Sequence, residues 1–559
     1  MRSIVFCSVA VFACAAPERN DPRLIEPGIL REVVDVTAPA PSPNPLTGSA
    51  TPTSAAGPIV IRYRVDTDRA APKPARAIVL LMPGFLGGAG SFDSLARAIV
   101  RRSTAEAPLE AWAIDRRSNR LEDRTGLEAA IASRDPNLLT GYYFEGAEVS
   151  GRAFEGFKKQ TDVDFESEWG VASTLEDLRS VIARVPADQR QARIVLAGHS
   201  LGASLVAQYA AWDFDGQPGH EELAGLVLID GVTGSEGDPL TVTRAQYETD
   251  GIPSAMGNVP SLERVRTEAR YFAFPILEST LFPIGVGAAM RAQLRPDIVE
   301  RDVPRAQAFQ TLFLMERLPR FTNRGAFGIA FDAATCPVSI AAVNAGQATG
   351  GALTPASAPF GGGTVLKPTE LSATYGWSEY DQVEPKEFTS LDDFALAWTR
   401  SGADFGEWYF PTRILLDTNV GASLTLPLDS WPVTAHGLRA VHGRSIGAPV
   451  LVEAAGILSG DVSRYDKLRA LLAPVSAGRP FAGATRDVGD GFQSVSHPRF
   501  SHIDPLAATD VPGSDAAAWF DALIDFAKRN TLEGGVVVPA REYRAATSTV
   551  PAEPVDDEP

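Results

Sequence analysis

Arg193-Ile194-Val195-Leu196-Ala197-Gly198-His199-Ser200-Leu201-Gly202 is the stretch on which the fold reading turns. Ile194 to Ala197 is a continuous apolar run, the pattern of a strand covered on both faces. Gly198 to Gly202 is a G-x-S-x-G turn, and a helical pattern runs from Gly202 to Trp212. Strand, tight turn and helix together give that pentapeptide its meaning. The turn forces Ser200 into a strained backbone conformation, and larger side chains at 198 and 202 would collide with the strand and helix. Ser200 then stands at a helix N-terminus, where the dipole favours negative charge. It is the candidate nucleophile.

Outward from this centre the apolar runs recur. Ile59 to Val65 alternates and predicts an edge strand, while Ala77 to Met82 is continuous and stops at Pro83-Gly84. Ala111 to Ile114, Leu226 to Ile229 and Val450 to Val452 are further short runs. Helical patterns lie between them at Phe92–Arg102 and Leu175–Val185. Strands alternating with helices predict an α/β fold with a mostly parallel central sheet flanked by helices. The alternation stops after Gly231 and resumes near Ala448, so 236–445 is a large insertion between a first core part, 58–235, and a second, 446–535. It reads as mainly helical and irregular, with helical pieces at 260–280 and 304–318. Residues 17–57 are rich in Pro, Ala and Ser and read as a flexible linker. The acidic, Pro-rich stretch 536–559 reads as a frayed tail.

The balance of 51 Lys+Arg against 69 Asp+Glu gives a net charge of −18, which repels phosphate backbones and argues against a nucleic-acid partner. The three cysteines have no zinc spacing, and no metal or organic cofactor is implied. Residues 1–16 carry a short positive start, an apolar run and small residues, and read as a secretory signal peptide. Val11-Phe12-Ala13-Cys14 is similar to a bacterial lipobox, in which Cys14 would be lipidated and anchor the chain to a membrane. The expected location is therefore outside the cytoplasm, as a periplasmic, secreted or anchored protein.

These segments resemble the α/β-hydrolase superfamily, over roughly 58–235 and 445–530. The resemblance implies an esterase- or lipase-like serine hydrolase that works through an acyl-enzyme. It implies an oxyanion hole from the amide of Leu201 and a second amide, of Phe85 or Leu86, in the Pro83-Gly84-Phe85-Leu86-Gly87-Gly88 loop. Serine at 200 argues against the dehalogenase and epoxide-hydrolase branches, which use Asp.

The family order places acid and then base after the serine. Ser501-His502-Ile503-Asp504 is similar to the family's G-H-x-D loop, which makes His502 the expected base, with His497 the alternative. Three carboxylates remain open as the triad acid: Asp461 after the resumed strand, Asp230 at the end of the strand following the elbow, and Glu453 within the resumed strand. In this fold such an insertion commonly forms a cap. Its Tyr271, Phe272, Phe274, Leu281, Phe282, Phe309, Leu312, Phe313, Leu314, Met315 and Trp408-Tyr409-Phe410 line a pocket for an apolar ester or form the cap's own core. Arg116 and Arg117 either pair with Asp115 or take a substrate carboxylate. The same triad could cleave amides, thioesters or lactones or transfer acyl groups, and a catalytically silent ligand-binding protein is the reading from another class.

Overall fold

The computed structural model describes residues 23–66, 73–103, 107–254, 258–273, 279–358, 363–379, 388–487 and 489–538. The segment 1–16 with Cys14, the residue Phe274 and the stretch 539–559 lie outside them.

Nine strands form one sheet: β1 (Arg23–Glu26), β2 (Ile29–Asp35), β3 (Ile59–Val65), β4 (Ala77–Met82), β5 (Leu109–Asp115), β6 (Ile194–His199), β7 (Gly225–Ile229), β8 (Val450–Ala454) and β9 (Phe492–Ser496). Their spatial order is β1-β2-β3-β5-β4-β6-β7-β8-β9. The first three strands run antiparallel to their neighbours, and every pairing from β5 to β9 is parallel. This is the α/β-hydrolase fold.

The apolar runs are continuous because both faces are covered. Ile78, Leu80 and Met82 of β4 enter one core, which also holds Ile194, Leu196 and much of the Leu201–Ala211 helix. Val79 and Leu81 enter the other, with Val195, Ala197 and the Asp515–Asn530 helix. A period-two side-chain alternation inside a fully apolar segment is what a doubly covered strand requires.

The N-terminal reading needs correction. Residues 23–35 are two strands of the main sheet, not part of a linker, and 36–57 is packed on the body. Val36 N–H donates to Pro58 O at 3.1 Å and Ala38 N–H to Ala56 O at 2.9 Å. Asn44 is fully buried and donates to the Asp164 carbonyl at 3.0 Å. Proline lowers the entropy lost on ordering, so a Pro-rich segment can be fixed by a few remote contacts. Likewise the first residues assigned to the tail are seated: Val536 exchanges backbone hydrogen bonds with Ala75, at 2.8 and 2.9 Å.

The insertion between β7 and β8 is helical in part, with helices such as Leu281–Leu294 and Val303–Phe313. It also contains a small three-stranded sheet built from Arg320–Phe321, Thr374–Glu379 and Gly346–Thr349. Leu353–Ser357 and Thr364–Pro368 add a separate two-stranded ribbon.

Candidate active site

Ser200 sits between β6 and the Leu201–Ala211 helix with φ +56° and ψ −123°, a conformation costing about 1–3 kcal/mol for a non-glycine residue. The neighbouring glycines explain why the sequence permits it. A Cβ on Gly198 would lie 2.2 Å from the Gly202 carbonyl oxygen, and one on Gly202 2.2 Å from that of Met82. Only hydrogen fits at either place. The sharp turn lifts Ser200 out of the sheet, and its backbone N–H is held by Ile229 O at 2.9 Å.

His502 follows β9 on a loop and is buried. Its Nδ1 donates to Asp230 Oδ2 at 2.7 Å, which leaves Nε2 as the proton acceptor. Asp230 is fully buried at the C-terminal end of β7, with φ +42°. It also accepts the amides of Ala455 at 2.9 Å, Ile457 at 2.9 Å and Leu458 at 3.2 Å. Burial works against its charge, but the His502 hydrogen bond and charge and the Ile457 and Ala455 amides outweigh it. They hold its carboxyl below the ordinary range. Asp230 is therefore an anion at neutral pH.

The structure thus settles the geometry of the three open carboxylates. Asp461 is not beside His502. It is exposed, heads a short helical turn and accepts from Ser463 N at 3.0 Å and Ser463 Oγ at 2.6 Å. A carboxylate left in water that caps a turn cannot orient a buried imidazole. Glu453 and His497 form a pair of their own, Nδ1 to Oε1 at 3.1 Å. Burial, then the nearby Asp230 charge, pushes the Glu453 carboxyl well up. Burial pushes the His497 imidazole down to about 4. Both shifts favour the uncharged forms of the pair, and the Glu453 backbone carbonyl accepts the Asp230 amide at 2.9 Å.

His199 of the elbow joins the same cluster. Its Nε2–H donates to the His502 backbone carbonyl at 2.8 Å, and the two rings lie 4.3 Å apart. Burial, then the neighbouring His502, pushes its pKa down to about 3, so it stays a neutral donor. Asp504 fixes the same loop from within. It is fully buried and accepts Ser501 N at 2.7 Å and Asn344 N at 2.9 Å.

The loop after β4 lies directly over the nucleophile, since a Cβ on Gly84 would lie 2.9 Å from Ser200 Cβ. Ser200, His502, Phe85 and Leu86 line one cavity of about 200 Å³. Of the predicted lining residues, Phe272, Leu281, Phe282, Leu312 and Trp408 face it. Phe309 and Phe313 pack in a core of the insertion, Tyr271 and Tyr409 in another, Phe410 against the main core, and Leu314 is exposed. Phe331, Cys336, Trp398 and Phe405 were missed as lining, because only the tertiary fold turns them inward. Neither Arg116 nor Arg117 reaches this cavity. Arg116 pairs with Glu407 at 2.7 Å and Arg117 with Asp177, both buried, so neither is free for a substrate carboxylate. Asp115 instead accepts the Ala89 amide.

Among the described residues no group of His, Cys, Asp and Glu could hold a metal ion, and no helix is long and apolar enough to cross a membrane. Residues 78–327 match the model of the alpha/beta hydrolase family. No curated protein matches the sequence. Among solved structures the chain is similar to a putative lipase from Sulfolobus solfataricus, with 13% identity, 91% of this chain and 97% of that chain covered, and a TM-score of 0.41. It is also similar to a peroxisomal alpha-beta-hydrolase from Saccharomyces cerevisiae, with 9% identity, 91% and 92% coverage, and a TM-score of 0.35. An epoxide hydrolase from Vigna radiata matches at 12% identity, with 88% and 98% coverage and a TM-score of 0.31.

Proposed function

We propose, on the premise that the chain belongs to the α/β-hydrolase superfamily, that it is a serine hydrolase cleaving esters of an apolar acyl group. The observation that carries this reading is the 2.7 Å bond from His502 Nδ1 to a buried, triply amide-bound Asp230, beside the cavity that Ser200 lines.

The chemistry follows from the tautomer. With Nδ1–H engaged, His502 Nε2 takes the Ser200 proton as Oγ attacks the substrate carbonyl carbon. The amide of Leu201 and that of Phe85 or Leu86 receive the oxyanion, at about 3–4 kcal/mol for a strong donor. His502 then protonates the departing alcohol, and the acyl group stays on Oγ. Water enters, gives a proton to His502 and attacks the acyl carbon; His502 then returns that proton to Ser200 Oγ as the C–O bond to the serine breaks and the acid leaves. Asp230 stays anionic throughout and stabilises the imidazolium.

The cavity supports an apolar substrate. Among the described residues lining it, His199 and His502 are the ionisable groups besides the thiol of Cys336, and no Asp, Glu, Lys or Arg faces it. A cavity of about 150 Å³ accepts benzene, so about 200 Å³ suits a ring or a medium-length chain. A charged acyl group would lose its hydration there without a partner. Export, with cleavage or lipidation near residues 14–16, is supported by the sequence alone. The mature N-terminal mass after expression in a bacterial host tests it.

The decisive experiment is hydrolysis of p-nitrophenyl esters from acetate to palmitate, with Ser200→Ala as control. A medium-chain optimum, with turnover lost in the variant, is expected. Equal turnover by the variant, or no turnover together with no labelling of Ser200 by a fluorophosphonate, would overturn the reading.

A further inference from the structure

The insertion does more than cover the site. Its segment Asp404–Glu407 runs against the loop over Ser200 as a short ladder. Gly88 N–H donates to Phe405 O at 2.9 Å, Gly90 N–H to Asp404 O at 2.8 Å, and Glu407 N–H to Leu86 O at 2.9 Å. Leu86 is held at φ +57°, a strained value for a branched side chain that persists only where the surroundings fix it.

Arg116 binds the same loop. Its Nη2 donates to the carbonyls of Pro83 and, at 3.1 Å, Gly84, and its Nη1 to Gly87 O at 3.3 Å. The same Nη1 donates to Glu407 Oε2 at 2.7 Å, and Glu407 Oε1 accepts from Ser118 Oγ. The guanidinium carbon lies 5.2 Å from the centre of the Phe410 ring, which in turn meets Phe85 edge to face at 5.0 Å. One planar cation therefore gathers three loop carbonyls and one buried carboxylate.

We infer that Arg116 is the positioning residue of the oxyanion loop, and that Glu407 of the insertion is the partner that holds it in place. The inference rests on the serine-hydrolase reading. In a planar trans peptide the C=O and the following N–H point in opposite directions. Fixing the Gly84 carbonyl on Arg116 therefore aims the Phe85 N–H away from Arg116. Gly84 itself adjoins Ser200, so that N–H is offered on the nucleophile's side. With the clamp gone, the Gly84 carbonyl keeps only the long turn hydrogen bond from Gly87 N–H, at 3.3 Å, so the Gly84–Phe85 peptide is held more loosely and the donor is misaimed without any change in the apolar cavity. Arg suits this role because its rigid fork spans several acceptors, whereas a lysine ammonium can serve only some of them.

The test compares wild type with Arg116→Met, Arg116→Lys and Glu407→Gln, on the best p-nitrophenyl ester and on a boronic acid that mimics the tetrahedral adduct. The expected result is a fall in kcat of about 100-fold for Arg116→Met, the range seen when one oxyanion donor is removed. Arg116→Lys and Glu407→Gln should fall less, and KM should stay within about threefold throughout because the apolar cavity is intact. Boronate affinity should fall in step with kcat/KM, which a merely structural role would not produce. Should Arg116→Met fail to fold, the other two variants carry the same comparison. A kcat within twofold of wild type in the folded variants, a loss confined to KM, or an unchanged boronate affinity would overturn the inference. Wild type inert to both ester and fluorophosphonate would instead remove the hydrolase reading on which it stands.

Discussion

Replacing Asp230 with Asn tests the site through a count of donors. Oδ1 of Asp230 accepts two backbone amides, those of Ala455 and Leu458, while Oδ2 accepts the Ile457 amide and His502 Nδ1–H. An Asn can place its oxygen on only one side. With the oxygen at Oδ2, the His502 tautomer survives, but the new NH₂ faces two backbone N–H groups. With the oxygen at Oδ1, the NH₂ faces one backbone N–H, and His502 must turn Nδ1 into an acceptor. Each buried donor left unsatisfied costs about 1–3 kcal/mol, so the second arrangement is preferred. It puts the proton on His502 Nε2, where it cannot take the Ser200 proton. By analogy with the trypsin Asp-to-Asn change, kcat should fall about 10⁴-fold with KM nearly unchanged. Stability should fall by about 1–3 kcal/mol from the one stranded amide. Steady-state kinetics on the p-nitrophenyl esters with a parallel urea melt reads both. Asp461→Asn is the control and should stay within about twofold, because a solvated turn carboxylate contributes little. An Asp230→Asn enzyme within tenfold of wild type, or an Asp461→Asn enzyme reduced 100-fold, would refute the reasoning.

Two further outcomes follow from the packing. Gly202→Ala drives a methyl to 2.2 Å from the Met82 carbonyl, against backbone that cannot rotate away, so the variant should lose about 1–3 kcal/mol or more; a melting curve matching wild type would contradict the tight elbow. Glu453→Gln should stabilise the protein increasingly as pH rises. The raised carboxyl keeps its proton in the folded state while the unfolded chain ionises in the ordinary range, so wild type loses stability as pH climbs, by up to about 1.4 kcal/mol per unit until the folded group itself ionises. Urea midpoints at pH 5, 6, 7 and 8 should show a widening gap in favour of the variant, and a gap that is constant or narrows would count against the protonated pair.

What the sequence made legible was what lies close together along the chain. The elbow is encoded within ten residues, because strand, glycines, serine and helix must be contiguous to make the turn. The doubly covered strands were legible for the same local reason, but the alternation of Ile59 to Val65 misled: β3 is no edge strand and lies buried between β2 and β5. The acid was not, since Asp230 and Asp461 differ only in what the fold brings to them. Asp230 receives amides from 225 to 228 residues away and a histidine 272 away, while Asp461 receives only Ser463. Glu453 and His497, read as an alternative acid and an alternative base, face each other instead of the Ser200 cluster. The N-terminal segment was misread because composition speaks to chain entropy and says nothing of the remote surfaces that hold Asn44. Ile29 to Asp35 pairs its apolar and polar residues instead of alternating them, so its strand signal was weak although Ile29, Leu30 and Val33 are buried. The Arg116–Glu407 pair spans 291 residues and had no sequence signal at all.

The insertion's place between β7 and β8 also bears on how the molecule comes together. Asp230 and His502 are brought together across 272 residues. Without 236–445 that separation would be about a quarter as long, two halvings, so closing the larger loop costs only about 1.2 kcal/mol more. The toll falls on time rather than on equilibrium, since distant strand pairings form late in folding. Emerging from the ribosome, the chain presents its elbow hundreds of residues before the histidine exists. The segment that ladders onto the loop over Ser200 also arrives well after that loop. No product of synthesis that stops short of His502 can therefore assemble this constellation.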